Sequence, residues 1–248
     1  MEKSKNDIKI IDVFELSTID RKSIDEWSQK DINAFLITLR KNLDYSKKMC
    51  SLYKYLIDCI EKEIDNLNNK ENENPLLTIY KDKILRPRLN AIYHIRMKVY
   101  DMMGYLTLLK MDAMTSIISL FQAKNDTERI MQCKHAYTII YEAIEHNMFK
   151  KVSKEIRQYP QEVLQEVFPS DFWKGISNLL KAIQSIDEAK EIRNTIDAHK
   201  GNSFQAQLSS YKKCSWKKSI FNLTILIKII EEIQKRLEFV DDNISILT

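Results

Sequence analysis

The chain has 248 residues, with Lys+Arg 39 against Asp+Glu 35 and a formal charge of +4. Only 3 Gly and 4 Pro over that length disfavour all-β folds and glycine-rich phosphate loops, since both depend on turn glycines. Apolar residues at 44% and charged residues at 30% fit a globular protein able to bury a real core, and the slight basic excess permits an anionic partner without requiring one.

The N-terminal arm, residues 1–30, begins with Glu2, Lys3, Lys5 and Asp7 and lacks the apolar core of a signal peptide. Its segment 8–17 reads as a short strand or an extended arm with no obvious partner strand. From Asp31 to about Leu67 the apolar positions are Ile32, Leu36, Leu39, Leu43, Cys50, Tyr53, Ile57, Ile60, Ile64 and Leu67. Steps of three and four, with Ser46 filling the one gap, predict a long amphipathic helix. The polar stretch from Asn68 to Pro75 ends it.

A second long helix is expected from near Arg88, after Pro87, to Gln122. Its stripe is Ile92, Ile95, Val99, Met102, Leu106, Leu109, Ala113, Ile117 and Leu120. Residues 31–124 thus predict a long antiparallel hairpin. Asn125 with Glu128 three residues later reads as a capping box for a third helix carrying Ile130, Cys133, Tyr137, Ile140, Ile144 and Met148. Pro160 and Pro169 break the next segment into short helices. Ser170 is expected to cap a helix through Phe172, Trp173, Ile176, Leu179, Leu180, Ile183 and Ile186, which runs on or kinks through Ile192 and Ile196 to His199. Gly201 supplies a left-handed terminator. A last helix is expected over about Trp216 to Val240, with Ile220, Leu223, Ile227, Ile230, Ile233 and Leu237 facing inward. The fold class is therefore all-α, an up-and-down bundle in which 31–124 form the hairpin and 125–248 a second bundle, packed separately or as one domain with it.

The most informative stretch is Arg193-Asn194-Thr195-Ile196-Asp197-Ala198-His199. It sets a guanidinium, an amide and an imidazole within two helical turns, groups that can bind and cleave a phosphodiester. On an ideal helix Arg193 and His199 lie roughly 120° apart, so they converge only if the helix end unwinds or a second chain contributes. Asp197, four residues after Arg193, is its natural salt-bridge partner. The same residues also read as ordinary capping and surface electrostatics.

This R-N-x4-H string resembles the motif of HEPN domains (higher eukaryotes and prokaryotes nucleotide-binding), in which a polar residue, often Asn, follows the Arg. It stands late in an all-helical chain, before a loop and a final amphipathic helix, as in that family. The resemblance covers about residues 126–240, and only its seven-residue core is specific. It implies a HEPN-like C-terminal bundle and metal-independent RNA cleavage, or nucleotide binding alone, in a toxin, defence or stress system. His199 would act as general base or acid, Arg193 would hold the scissile phosphate, and Asn194 would orient it. Paired protomers that join two motifs in one cleft would make the protein a homodimer.

Lys212, Lys213, Lys217 and Lys218, interleaved with Tyr211 and Trp216, form the best basic and aromatic cluster and are candidates to track an RNA backbone. A solvated helix start over a buried Trp216 is the alternative. His94, His135 and His146 lack the acidic partners of a metal site, and no metal or cofactor is expected. Cys50, Cys59, Cys133 and Cys214 are too widely spaced for a CxxC motif and read as small apolar residues in a reducing compartment. The Met102-Met103 pair with Met111 and Met114 reads as core filler. The most apolar stretch, Ile220 to Ile230, is interrupted by Asn222 and Lys228 and is too short to span a bilayer. The expectation is a cytoplasmic protein without a membrane partner. A noncatalytic helical scaffold, docking a protein partner through the long hairpin, is the alternative function.

Overall fold

The computed structural model describes residues 24–68, 83, 85–145, 154, 167–183, 190–192 and 212–247. The protein is an all-α helical bundle, and there is no strand among the described residues. A 3-10 turn at Ile24–Glu26 leads to α1 (Gln29–Asn68), α2 (Arg86–Gln122), α3 (Asp126–Glu145), α4 (Ser170–Ala182) and α5 (Trp216–Leu247). The strand alternative for segment 8–17 falls outside the described residues.

Local chemistry explains where most helices begin. The Ser28 hydroxyl accepts from the Asp31 N–H at 3.2 Å, and the Asp31 carboxylate accepts from the Ser28 N–H at 2.9 Å. That reciprocal box satisfies two otherwise unpaired donors and starts α1 at Gln29, two residues before the expected Asp31. Pro87 lies in the first turn of α2, where a missing N–H costs nothing. Asn125 accepts from the Glu128 N–H at 2.9 Å, as expected, but the Glu128 carboxylate reaches one residue further back, to the Lys124 N–H at 2.8 Å.

The Ser170 cap is a correction. Pro169 occupies the cap position of α4, with no side-chain cap, and Ser170 is already helical. The Pro169 carbonyl receives the Phe172 and Trp173 N–H groups at 3.0 and 3.4 Å, so backbone rather than side chain closes this end. At the other end Ile183 is extended and its N–H returns to the Leu180 carbonyl. α4 therefore stops at Ala182. The chain is helical again at 190–192, so of the two options, running on and kinking, the described residues exclude a single unbroken rod.

Contacts along the helices give their directions. α1 meets α2 through Cys50 with Met111, Tyr53 with Tyr100 and Phe35 with Phe121, so the pair runs antiparallel. α2 meets α5 through Tyr100 with Asp241, Thr107 with Gln234 and Phe121 with Trp216, again antiparallel. α2 is thus the shared wall between hairpin and C-terminal helices. α3 packs on both α2 and α5, and α4 lies against α5. One hydrophobic cluster includes Leu39 of α1, Leu106 of α2, Tyr137 of α3, Ile176 of α4 and Leu226 of α5.

α5 is the most enclosed element. All six expected inward residues, from Ile220 to Leu237, are fully buried, each worth about 1.5–3 kcal/mol of transfer free energy. Ser219, Asn222, Thr224, Ile225, Leu226 and Ile229 are buried as well. A helix apolar around most of its circumference belongs inside the bundle, not on its surface. Ser219 and Thr224 donate to the carbonyls of Ser215 and Ile220, both at 2.8 Å, which removes the cost of burying their hydroxyls.

Candidate nucleic-acid interface at the start of the last helix

Four aromatic rings from four parts of the chain meet where α1 and α5 begin and α2 ends. Trp27 stacks on Phe121 at 6.0 Å and meets Phe35 edge-on at 5.1 Å. Phe121 in turn meets Trp216 edge-on at 6.0 Å. This packing holds Trp216 half-buried at the first turn of α5. Trp27, placed by the sequence in the N-terminal arm, is part of the core.

Cations gather on that ring. The Arg129 guanidinium lies 5.1 Å and the Lys217 ammonium 5.6 Å from the Trp216 centroid, within cation–π range. The π face is negative, so the contact stabilises both charges next to a partly apolar wall. Arg129 also reaches Asp126 at 3.5 Å. Sequence reading missed Arg129, because it lies 87 residues before Trp216 and only tertiary packing joins them. Its single cue was its place in the first turn of α3.

The candidate lysines play different parts. Lys212 is exposed. Lys213 is also exposed, but its ammonium donates to both Glu191 carboxylate oxygens, at 2.7 and 2.8 Å. Lys217 is engaged with Trp216 rather than turned wholly to solvent. Base stacking on Trp216 would have to displace or share these cations.

Arg193, Asn194 and His199 lie outside the described residues. The structure does describe the three residues immediately before them. Ile192, expected on the buried stripe, is fully buried, and Glu191 forms the Lys213 ion pair. Chain connectivity keeps the Arg193 Cα within about 7 Å of that of Glu191.

The remaining candidates resolve simply. His94 and His135 are exposed, and His146 is outside the described residues. All four cysteines are free thiols. Cys133 is buried, and that burial pushes its thiol up to about 12, against an opposing hydrogen bond from Ser219. Met102, Met103 and Met114 are buried core residues, and Met111 touches the Cys50 thiol at 3.8 Å. Among the described residues no group of three or more His, Cys, Asp or Glu side chains could hold a metal ion.

No known protein family, curated protein or solved structure matches this chain. No described helix is long and apolar enough to cross a membrane.

Proposed function

We propose that this protein acts on RNA through Arg193, Asn194 and His199, by the metal-independent chemistry of HEPN domains, with the start of α5 as its electrostatic footing. The observation that supports this reading is the Glu191–Lys213 ion pair beside buried Ile192. It anchors the residues leading into Arg193 next to Lys212, Lys213, Lys217 and Lys218.

In this reading an imidazole at His199 takes the ribose 2′-hydroxyl proton as the 2′-oxygen attacks phosphorus. The bond to the 5′-oxygen breaks, and that oxygen receives a proton. The products carry a 2′,3′-cyclic phosphate and a 5′-hydroxyl. Arg193 holds the phosphate and offsets the charge that develops on it. A homodimer that brings two such segments together would overcome their angular separation on one helix.

The test is incubation of purified protein with bulk tRNA in chelator, beside the Arg193→Ala/His199→Ala double variant. Cleavage by the parent alone, leaving cyclic phosphate ends, supports the enzyme. Retarded RNA migration without cleavage supports a binding module instead. If both proteins neither bind nor cleave, RNA is not the ligand.

One observation favours a second reading, a noncatalytic interaction module. A recess between α1 and α2 is lined by Cys50, Tyr53, Ile57, Tyr105 and Leu108, of which Tyr105 and Leu108 are exposed at 38% and 54% of their surface. Apolar side chains left in water as one contiguous surface are a docking feature. Leu108→Glu with Tyr105→Glu would abolish partner capture while leaving any RNA chemistry intact.

A further inference from the structure

A second recess lies between α1, α2 and α5, well away from the basic end. It has a volume of about 240 Å³, and its walls include Tyr45, Met49, Tyr53, Lys110, Lys235 and Glu238. That is room for a small organic molecule rather than a single water. Gln234, which lines the recess at its floor, is 18 residues after Trp216, or about 27 Å along α5.

Its charges are not balanced in the way a residue count suggests. Lys110 is paired with Glu231, and Lys235 with Glu232 at 3.3 Å. Glu238 is left without a basic partner among the described residues. The recess is lined by two lysines and two glutamates, and with those ion pairs made, the exposed Glu238 at its rim is the carboxylate left over beside an apolar and aromatic wall. An anion is disfavoured by Glu238. A hydrated metal ion is disfavoured by the absence of clustered ligands among the described residues and by Met49 and the rings.

The geometry points to a binding site for an alkylammonium cation, with Glu238 taking the positive head and Tyr45, Met49 and Tyr53 taking the carbon chain. Aromatic rings suit this role because their negative faces attract an ammonium while their bulk covers methylene groups. Tyr53 is buried, and desolvation, together with the Glu238 carboxylate, pushes its phenol up to about 12. Thr107 and Gln234 complete the recess with a 2.8 Å hydrogen bond that fixes the floor.

An alkylammonium group arrives either as a free polyamine or as a lysine side chain. Two arms distinguish them: isothermal titration of the full chain at low salt with spermidine, and with Nα-acetyl-lysine methylamide. Saturable binding of spermidine alone identifies a polyamine site, and binding of both with similar affinity identifies a lysine-accepting one. Glu238→Gln should weaken binding at least tenfold, the effect of losing one charged hydrogen bond, and Tyr45→Ala about threefold. Glu61→Gln, on the exposed face of α1, should leave it unchanged. Thermal unfolding of each variant verifies that it is folded. The inference is overturned if neither amine binds saturably, or if Glu238→Gln and Glu61→Gln lower affinity equally.

Discussion

Glu191 and Lys213, 22 positions apart in the chain, are joined by an ion pair of 2.7 Å, and all of Arg193–His199 lies between them in sequence. Both partners are half-exposed, so water screens the pair and its stability contribution is at most about 1 kcal/mol. Its main effect is positional. Glu191→Gln should lower the unfolding free energy by less than about 1 kcal/mol and release Lys213 toward an anion. On the RNA reading, Glu191→Gln binds RNA more tightly than the parent. Lys213→Glu binds it more weakly, with a salt slope shallower by about 1. Filter binding across a salt series checks both.

Phe121 is the hinge of the aromatic cluster, since it touches Trp27, Phe35 and Trp216 at 5.8–6.0 Å. Phe121→Ala removes three ring contacts at once and should cost about 3–5 kcal/mol in urea unfolding. Trp216 loses its edge-on neighbour in the same variant. The emission of Trp216, and of Trp27, which loses its stacked neighbour, should therefore shift to the red while that of Trp173, set among Phe168 and Phe172, is unchanged.

The polar seam between α2 and α5 invites a double-mutant cycle. Gln234 donates to the buried Thr107 hydroxyl at 2.8 Å, and Thr107 donates onward to the Met103 carbonyl at 2.7 Å. Thr107→Val leaves the Gln234 amide only its longer bond to the Met103 carbonyl, at 3.5 Å, and Gln234→Ala removes the donor, each costing about 1–2 kcal/mol. The double variant should cost less than the sum by about 1 kcal/mol. Strict additivity would show that the two groups do not interact in solution.

Alkali should destabilise the fold in a defined window. Tyr53 is held up to about 12 by desolvation and then by Glu238, and Cys133 up to about 12 by desolvation. Tyr100 is raised by burial and then by the hydrogen bond that its hydroxyl donates to Asp241 at 2.8 Å. In each case the folded state holds its proton more tightly than the unfolded chain does. Their stabilisation is complete below the unfolded values of 9.0 for the thiol and 10.0 for the phenols, and is lost as pH rises toward 12. Urea midpoints measured from pH 8 upward should be flat to about 9 and then fall. Tyr53→Phe should flatten part of that decline.

Much of the bundle was legible in the residues because helix periodicity and capping are local. Leu36, Leu39 and Tyr53 on α1, and Val99, Leu106 and Ile117 on α2, are buried as their spacing requires. Ser46, the polar gap in the first stripe, is buried too. The Ser170 cap failed because a carbonyl can do what a hydroxyl was expected to do, a choice that depends on backbone geometry. Phe35 was overlooked because α1 meets both α2 and the residues before it, which widens its apolar face beyond one stripe.

That this chain is helical, where its long helices run and which of their faces are apolar can be read from the residues alone. Those properties follow from contacts between residues three or four apart. That α2 stands between α1 and α5, that Arg129 lies over Trp216 and that Lys213 is tied to Glu191 emerges with packing. Each of these joins groups far apart in the chain, and no periodicity records which distant surfaces will meet when apolar area leaves water.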